Sequence, residues 1–103
     1  MAIDKRVQKM VDGDKNAIID GFISSSCVLR VNAIIQAVLH KMKDKTTEVQ
    51  LHRLKKDDTY IFDSNVGYRV SDFAYAALHL LGFARYEGTD KTVVALIDSK
   101  LEI

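Results

Sequence analysis

Apolar residues at Val31, Ile34, Ile35, Val38, Leu39 and Met42 follow one another at helical spacing and gather on one face of a helix. A strand, with its two-residue period, would scatter them over both faces. The same steps return in Val70, Phe73, Ala74, Ala77, Leu78 and Leu81, each 39 positions after its counterpart. Residues 29–42 and 68–81 also share five identities in fourteen positions, pairing Arg30 with Arg69, Val31 with Val70, Ala37 with Ala76, Leu39 with Leu78 and His40 with His79. The chain therefore reads as an internal helical repeat.

A further helix is expected upstream of each stripe. One spans residues 16–24, with Ala17, Ile18, Ile19, Phe22 and Ile23; the other spans 47–56, with Val49, Leu51 and Leu54. Each unit is then a helical hairpin. Asp14, Asp44 and Asp90 each precede a lysine and an apolar run, and a carboxylate there accepts from free backbone N–H groups at a helix start. The third opens a last helix over 93–101, carrying Val93, Val94, Leu96, Ile97 and Leu101. Ile3, Val7, Met10 and Val11 predict a short N-terminal helix covering the first pair, as the end of a stacked array needs. The total is about six helices: two full repeats, an N-terminal cap and a C-terminal half-repeat. Leu96, Leu101 and Ile103 of that half-repeat are expected to pack on the preceding pair or against a second copy of the chain.

Two connections differ in character. Ser24, Ser25 and Ser26 read as a tight inter-helix turn. Residues 57–67 are longer and place Tyr60, Ile61 and Phe62 among acidic and small residues. These apolar side chains either fold back over the helix ends or form a recognition surface.

Composition agrees with helix. There is no proline among 103 residues, 48% are apolar and 28% charged, the proportions of one folded domain spanning residues 1–103. A net charge of +1 supplies no global field for nucleic acid or anionic membrane, so any basic patch is local. The single Cys27 has no partner for an internal disulfide, and no run of eighteen apolar residues or leader-like apolar stretch is present. The expected location is the cytoplasm, with no membrane partner.

An arginine opening the second helix of each pair, followed by valine and the apolar stripe at a period near forty, resembles the HEAT repeats of the alpha-solenoid class. The residues that carry the likeness are Leu29, Arg30, Val31, Asn32 and Ala33, then Tyr68, Arg69, Val70, Ser71 and Asp72, with Gly82 closing the second unit. The likeness spans roughly residues 14–101 and is similar in style to small bacterial members. It implies an all-α fold, a short right-handed alpha-solenoid of antiparallel helical hairpins. It also implies an arginine paired with an aspartate that links neighbouring repeats. Asp63 and Asp72 are the candidates for Arg69; the serine-only turn before Arg30 departs from the pattern and leaves its partner unidentified, an acid in another repeat being the option. Asp72, in the first turn of its helix, reads as a structural acceptor.

Catalytic and metal chemistry find little footing. His40, His52 and His79 lack clustered ligands, and Cys27 has no histidine beside it in sequence. Phosphate-binding glycine loops and the hydrolase and zinc-protease signatures are absent. Asp63, Ser64, Asn65, Val66 and Gly67 begin like a calcium loop, but Gly67 stands where a ligand is needed. No catalytic, cofactor or metal residue is assigned.

The expected role is a non-enzymatic module that binds a protein, with Tyr60, Phe62, Tyr68, Tyr75 and His79 as contact residues. The family likeness extends this to an immunity-type protein that neutralises a toxin. A homodimer through the half-repeat is a further expectation. The alternative is nucleic-acid association through a basic ridge of Lys41, Lys43, Lys45, Arg53, Lys55 and Lys56, although interleaved acids and the lack of interleaved aromatics weigh against it.

Overall fold

The computed structural model describes residues 5–61 and 67–101, and the described chain is all-helical. Its elements are α1 (Lys5–Val11), α2 (Lys15–Phe22), α3 (Cys27–Leu39), α4 (Lys45–Leu54), α5 (Val70–Leu80) and α6 (Lys91–Asp98). An isolated antiparallel bridge joins Tyr60 to Arg69 just before α5. Ile3, Phe62, Asp63 and Ile103, named above, lie outside the described residues.

Side-chain caps set the helix starts. Asp14 accepts from the Ala17 N–H at 3.2 Å, Asp44 from Thr47 at 2.9 Å and Asp90 from Thr92 at 2.9 Å. The helices consequently start one or two residues earlier than the first apolar side chain predicts, and α2, α4 and α6 also end two or three residues sooner. The serine turn is a cap as well: Ser26 accepts from Leu29, and Ser24 accepts from the Ser26 N–H.

Four helices end alike. Met42 N–H reaches the Ala37 carbonyl and Lys41 N–H reaches Val38, a closure repeated at Asp14 and Gly13, at Phe83 and Gly82, and at Leu101 and Lys100. The left-handed residue it requires is Gly13 or Gly82 in two cases and Lys41 or Lys100 in the other two.

α5 is the central element, packed on α3, α4 and α6. It buries Val70, Phe73, Ala74, Ala76, Ala77 and Leu78, nearly its whole circumference, as a surrounded helix must. α3 contributes Val31, Ala33, Ile34 and Ala37 to the same core, α2 packs on α3 and α4, and α1 lies over α2 and α3 with Met10 buried.

The two stripes are not equal in burial. Leu78 is 1% exposed, whereas its counterpart Leu39 is 62% exposed. α6 follows α5 and packs on it, but α4, which follows α3, packs on α5 and α2 instead. Ile23, Val49 and Val94, expected on apolar faces, are likewise exposed. In the last helix Val93, Leu96 and Leu101 are buried within the same chain. No helix among the described residues is long and apolar enough to cross a membrane.

Candidate functional site

Several backbone and side-chain polar groups meet at the start of α5. The strand-like segment before Tyr60 supplies the acceptors that its first turn lacks. Thr59 O accepts from Val70 N–H at 3.0 Å and Asp57 O from Ser71 N–H at 2.9 Å, while the Asp72 carboxylate takes the Arg69 N–H at 3.0 Å. Asp72 is therefore the structural acceptor the sequence predicts.

The two repeat arginines diverge in use. Arg30 Nε lies 2.9 Å from Asp57, Nη1 donates to the Ser24 carbonyl at 2.7 Å, and Nη2 reaches Thr59. This clamps the α2–α3 turn to the loop after α4, and Asp57 is the acid that the sequence left unidentified for Arg30. Arg69 instead stacks on Tyr60, with 4.8 Å between guanidinium carbon and ring centre, and donates to the Tyr60 hydroxyl at 2.8 Å. Its expected side-chain partnership with Asp72 is replaced by a backbone bond, and Asp63 lies outside the described residues.

A groove of about 600 Å³ opens beside this turn, between α5, the end of α4 and the connection from α5 to α6. Ser71 and Asp72 lie in it, both more than nine-tenths buried. Lys55, Arg69 and Arg85 line it with Asp58, Glu87 and Asp90, yet none of these side chains, nor Asp72, forms an ion pair within 4.0 Å among the described residues. Tyr75 and Tyr86 stand edge to face there with ring centres 5.6 Å apart, and Lys55 Nζ lies 5.6 Å from the Tyr75 ring centre.

The carboxylates respond to their surroundings in opposite senses. Burial pushes the Asp72 carboxyl upward, and the nearby charge of Asp90 adds to this, outweighing the Arg69 N–H bond and the Arg69 charge. Burial also raises Asp57, but hydrogen bonds from the hydroxyl and N–H of Thr59 together with the Arg30 charge outweigh it and hold Asp57 below its ordinary value.

The sequence-predicted contact residues fall unevenly around this site. Tyr75 lines the groove at 37% exposure, and Tyr60, 56% exposed, meets its rim through Arg69. Tyr68 is half-buried and packs against Phe73, and half-buried His79 accepts the Tyr86 N–H on Nδ1 at 3.0 Å, so both serve the fold rather than standing free. Phe62 lies outside the described residues. Arg85, Tyr86 and Glu87 have no role in the sequence reading and Asp90 only that of a helix cap, although residues 82–90 place aromatics among charges just as residues 57–67 do.

The basic residues fall in two groups at the two ends of one helix. Lys41, Lys43 and Lys45 surround the start of α4, and Arg53, Lys55 and Lys56 its end, about 15 Å away along a ten-residue helix. Arg53 donates to the Phe22 carbonyl at 2.9 Å and to Gln50, closing the end of α2, and Lys45 pairs with Glu48 at 3.5 Å. His40 lies against the end of α1, its Nε2 3.1 Å from the Val11 carbonyl, and His52 lies 3.8 Å from Glu48. Among the described residues no group of three or more histidine, cysteine or acidic side chains is arranged to hold a metal ion, and Cys27 is half-buried at the start of α3. Comparison of the chain with known protein families, with characterised proteins and with solved structures returns no match.

Proposed function

We propose that this chain is a non-enzymatic protein-interaction module, built as a short right-handed alpha-solenoid of helical hairpins and engaging its partner through the face around α5. The observation that carries the reading is the groove beside α5, whose charged side chains form no ion pair within 4.0 Å among the described residues and lie next to exposed Tyr75 and Tyr60. Charges that an isolated chain leaves unmatched gain partners when a complementary surface docks, and tyrosine provides rigid contact area at small entropic cost. The solenoid reading is supported by contacts of α2 with α4 and α3 with α5, the stacking of like helices, and by the Arg30–Asp57 link between successive units. The resemblance to small bacterial HEAT-like proteins makes a toxin, neutralised by an immunity-type chain, the first partner class to test.

The test is affinity capture from the source organism's lysate at physiological and raised salt, with a nuclease-treated arm, using the wild-type chain and Tyr75→Ala. A stoichiometric protein that survives nuclease and salt and is lost with Tyr75→Ala is the expected result. Recovery of nucleic acid alone, lost as salt rises, would overturn the reading in favour of the basic residues flanking α4.

A further inference from the structure

The floor of the groove is short of donors: of Ser71 and Asp72, the Ser71 hydroxyl alone can donate. Ser71, 6% exposed, lines it, and its hydroxyl has no hydrogen-bond partner among the described residues. Asp72, 7% exposed, commits Oδ2 to the Arg69 N–H, while Oδ1 receives no donor. Asp90 stands near enough for its charge to act on Asp72. None of the three local cations forms an ion pair within 4.0 Å with this pair among the described residues: Lys55 lies over Tyr75, Arg69 acts on Asp72 from its place on Tyr60, and Arg85 is exposed. Acceptors that outnumber their donors are thus bordered by two tyrosine rings.

We propose that the groove receives a lysine or arginine side chain of the partner, its cationic head against Asp72 and Asp90 with the Ser71 hydroxyl accepting, and its alkyl stem along Tyr75 and Tyr86. This rests on the reading of the chain as an interaction module. Ammonium and guanidinium groups are pure donors, which is what the floor is short of. An anion would face two carboxylates, and an apolar group would seal Ser71 and Asp72 from water without satisfying them. A divalent cation would rest on two carboxylates and water, since among the described residues no group of three or more histidine, cysteine or acidic side chains is arranged to hold one. The stem gains apolar cover from the rings while the head stays polar.

The test titrates the 15N-labelled full chain with the capped tripeptides acetyl-Gly-Lys-Gly-amide and acetyl-Gly-Arg-Gly-amide, with the Nε-acetylated lysine peptide, and with 1,4-diaminobutane as a free amine. Asp72→Asn and Asp90→Asn each keep a capping oxygen for the helix start and remove only the charge, so both retain the fold. The charged peptides are expected to shift the Ser71, Asp72 and Tyr86 amides, the acetylated peptide to leave them in place, and either variant to weaken binding about tenfold or more, with Asp12→Asn unchanged. Absent shifts, equal binding by the acetylated peptide, or equal binding to Asp72→Asn overturns the proposal. Tighter binding of diaminobutane than of either peptide overturns it too, assigning the groove to a free amine. A captured protein partner still held fully by Asp72→Asn and Asp90→Asn leaves the interaction reading standing and removes this inference alone.

Discussion

Arg30 and Asp57, 27 residues apart in sequence, meet at 2.9 Å with side chains only 13% and 19% exposed, and the same guanidinium holds the Ser24 carbonyl. One side chain therefore ties the α2–α3 turn to the loop that feeds α5. Removing it leaves a half-buried carboxylate facing no cation. Arg30→Ala is expected to lower stability by about 2 kcal/mol, discounted from the cost of breaking a fully buried pair. Urea unfolding checks this; Arg69→Ala, which removes an exposed stacking contact, should leave the midpoint unchanged. Equal losses in the two variants would show that the clamp is not special.

The acid response separates the carboxylates by sign. Asp57 and Asp44 are held below their ordinary value in the fold: burial raises each, but Thr59 and Arg30 in one case, and Thr47 and Lys15 in the other, outweigh it. Their stabilisation is present above the unfolded carboxylate value of about 3.9 and is lost as pH falls through their folded values. Asp72 is raised, chiefly by burial, so its contribution is full at low pH and is lost as pH rises through its folded value. Asp72→Asn, which keeps an acceptor for the Arg69 N–H, should therefore gain on the wild type in urea midpoint between about pH 3 and about pH 7. A difference that stays flat or reverses over that range would refute the assignment.

Helix positions and starts were legible because two signals agree, a 3.6-residue apolar period and an aspartate ahead of it; Asp14, Asp44 and Asp90 all cap as the pattern implies. Asp72 was legible for the same reason. The unequal burial of Leu39 and Leu78 was not, because the repeat makes them identical locally and only the different paths of α4 and α6 distinguish them. The groove was half legible. Tyr75 shows on the outer side of the second stripe, but Lys55, Ser71, Asp72 and Asp90 come together only when three elements converge. The two basic groups were legible as flanking helix ends, and α4 holds them at its two ends.

Gly21 marks where α1, α2 and α3 meet. A Cβ there would lie 2.5 Å from Met10 Cε and 2.8 Å from Ala33 Cβ. Met10 can swing aside, but Ala33 is fixed to the α3 backbone, so the helices must part. Gly21→Ala is expected to cost about 1–3 kcal/mol despite alanine's better helix propensity. Hydrogen exchange should show the loss first in α1, with α5 protected; a stabilised variant would mean that the close approach does not exist.

Leu96 is fully buried and anchors α6 on α5. Leu96→Ala should cost about 2–5 kcal/mol in thermal or urea unfolding. Because its contacts lie within one chain, the mass measured by light scattering should not change. A fall from dimer to monomer mass would instead show that α6 completes its packing against a second copy. Deleting residues 90–103 removes Val93, Leu96 and Leu101 together and should abolish cooperative unfolding.

Lys41 closes α3 with φ +52°, in the region where a Cβ crowds the following carbonyl, whereas Gly82 closes α5 with φ +81° at no such cost. Both ends carry the same pair of backbone bonds, from Met42 to Ala37 and Lys41 to Val38 in one, from Phe83 to Leu78 and Gly82 to His79 in the other. The closures being alike, the difference between them is the side chain. Lys41→Gly should raise stability by about 0.5–1 kcal/mol, the relief of left-handed strain less the extra entropy glycine gives the unfolded chain. The lysine makes no ion pair within 4.0 Å among the described residues, so nothing else of that size is forfeited. Gly82→Ala should lose a similar amount, since open space around its Cβ position leaves only backbone strain. Opposite signs in the two urea midpoints are the expected result; a destabilised Lys41→Gly would mean that the lysine stem contributes packing that outweighs its backbone cost.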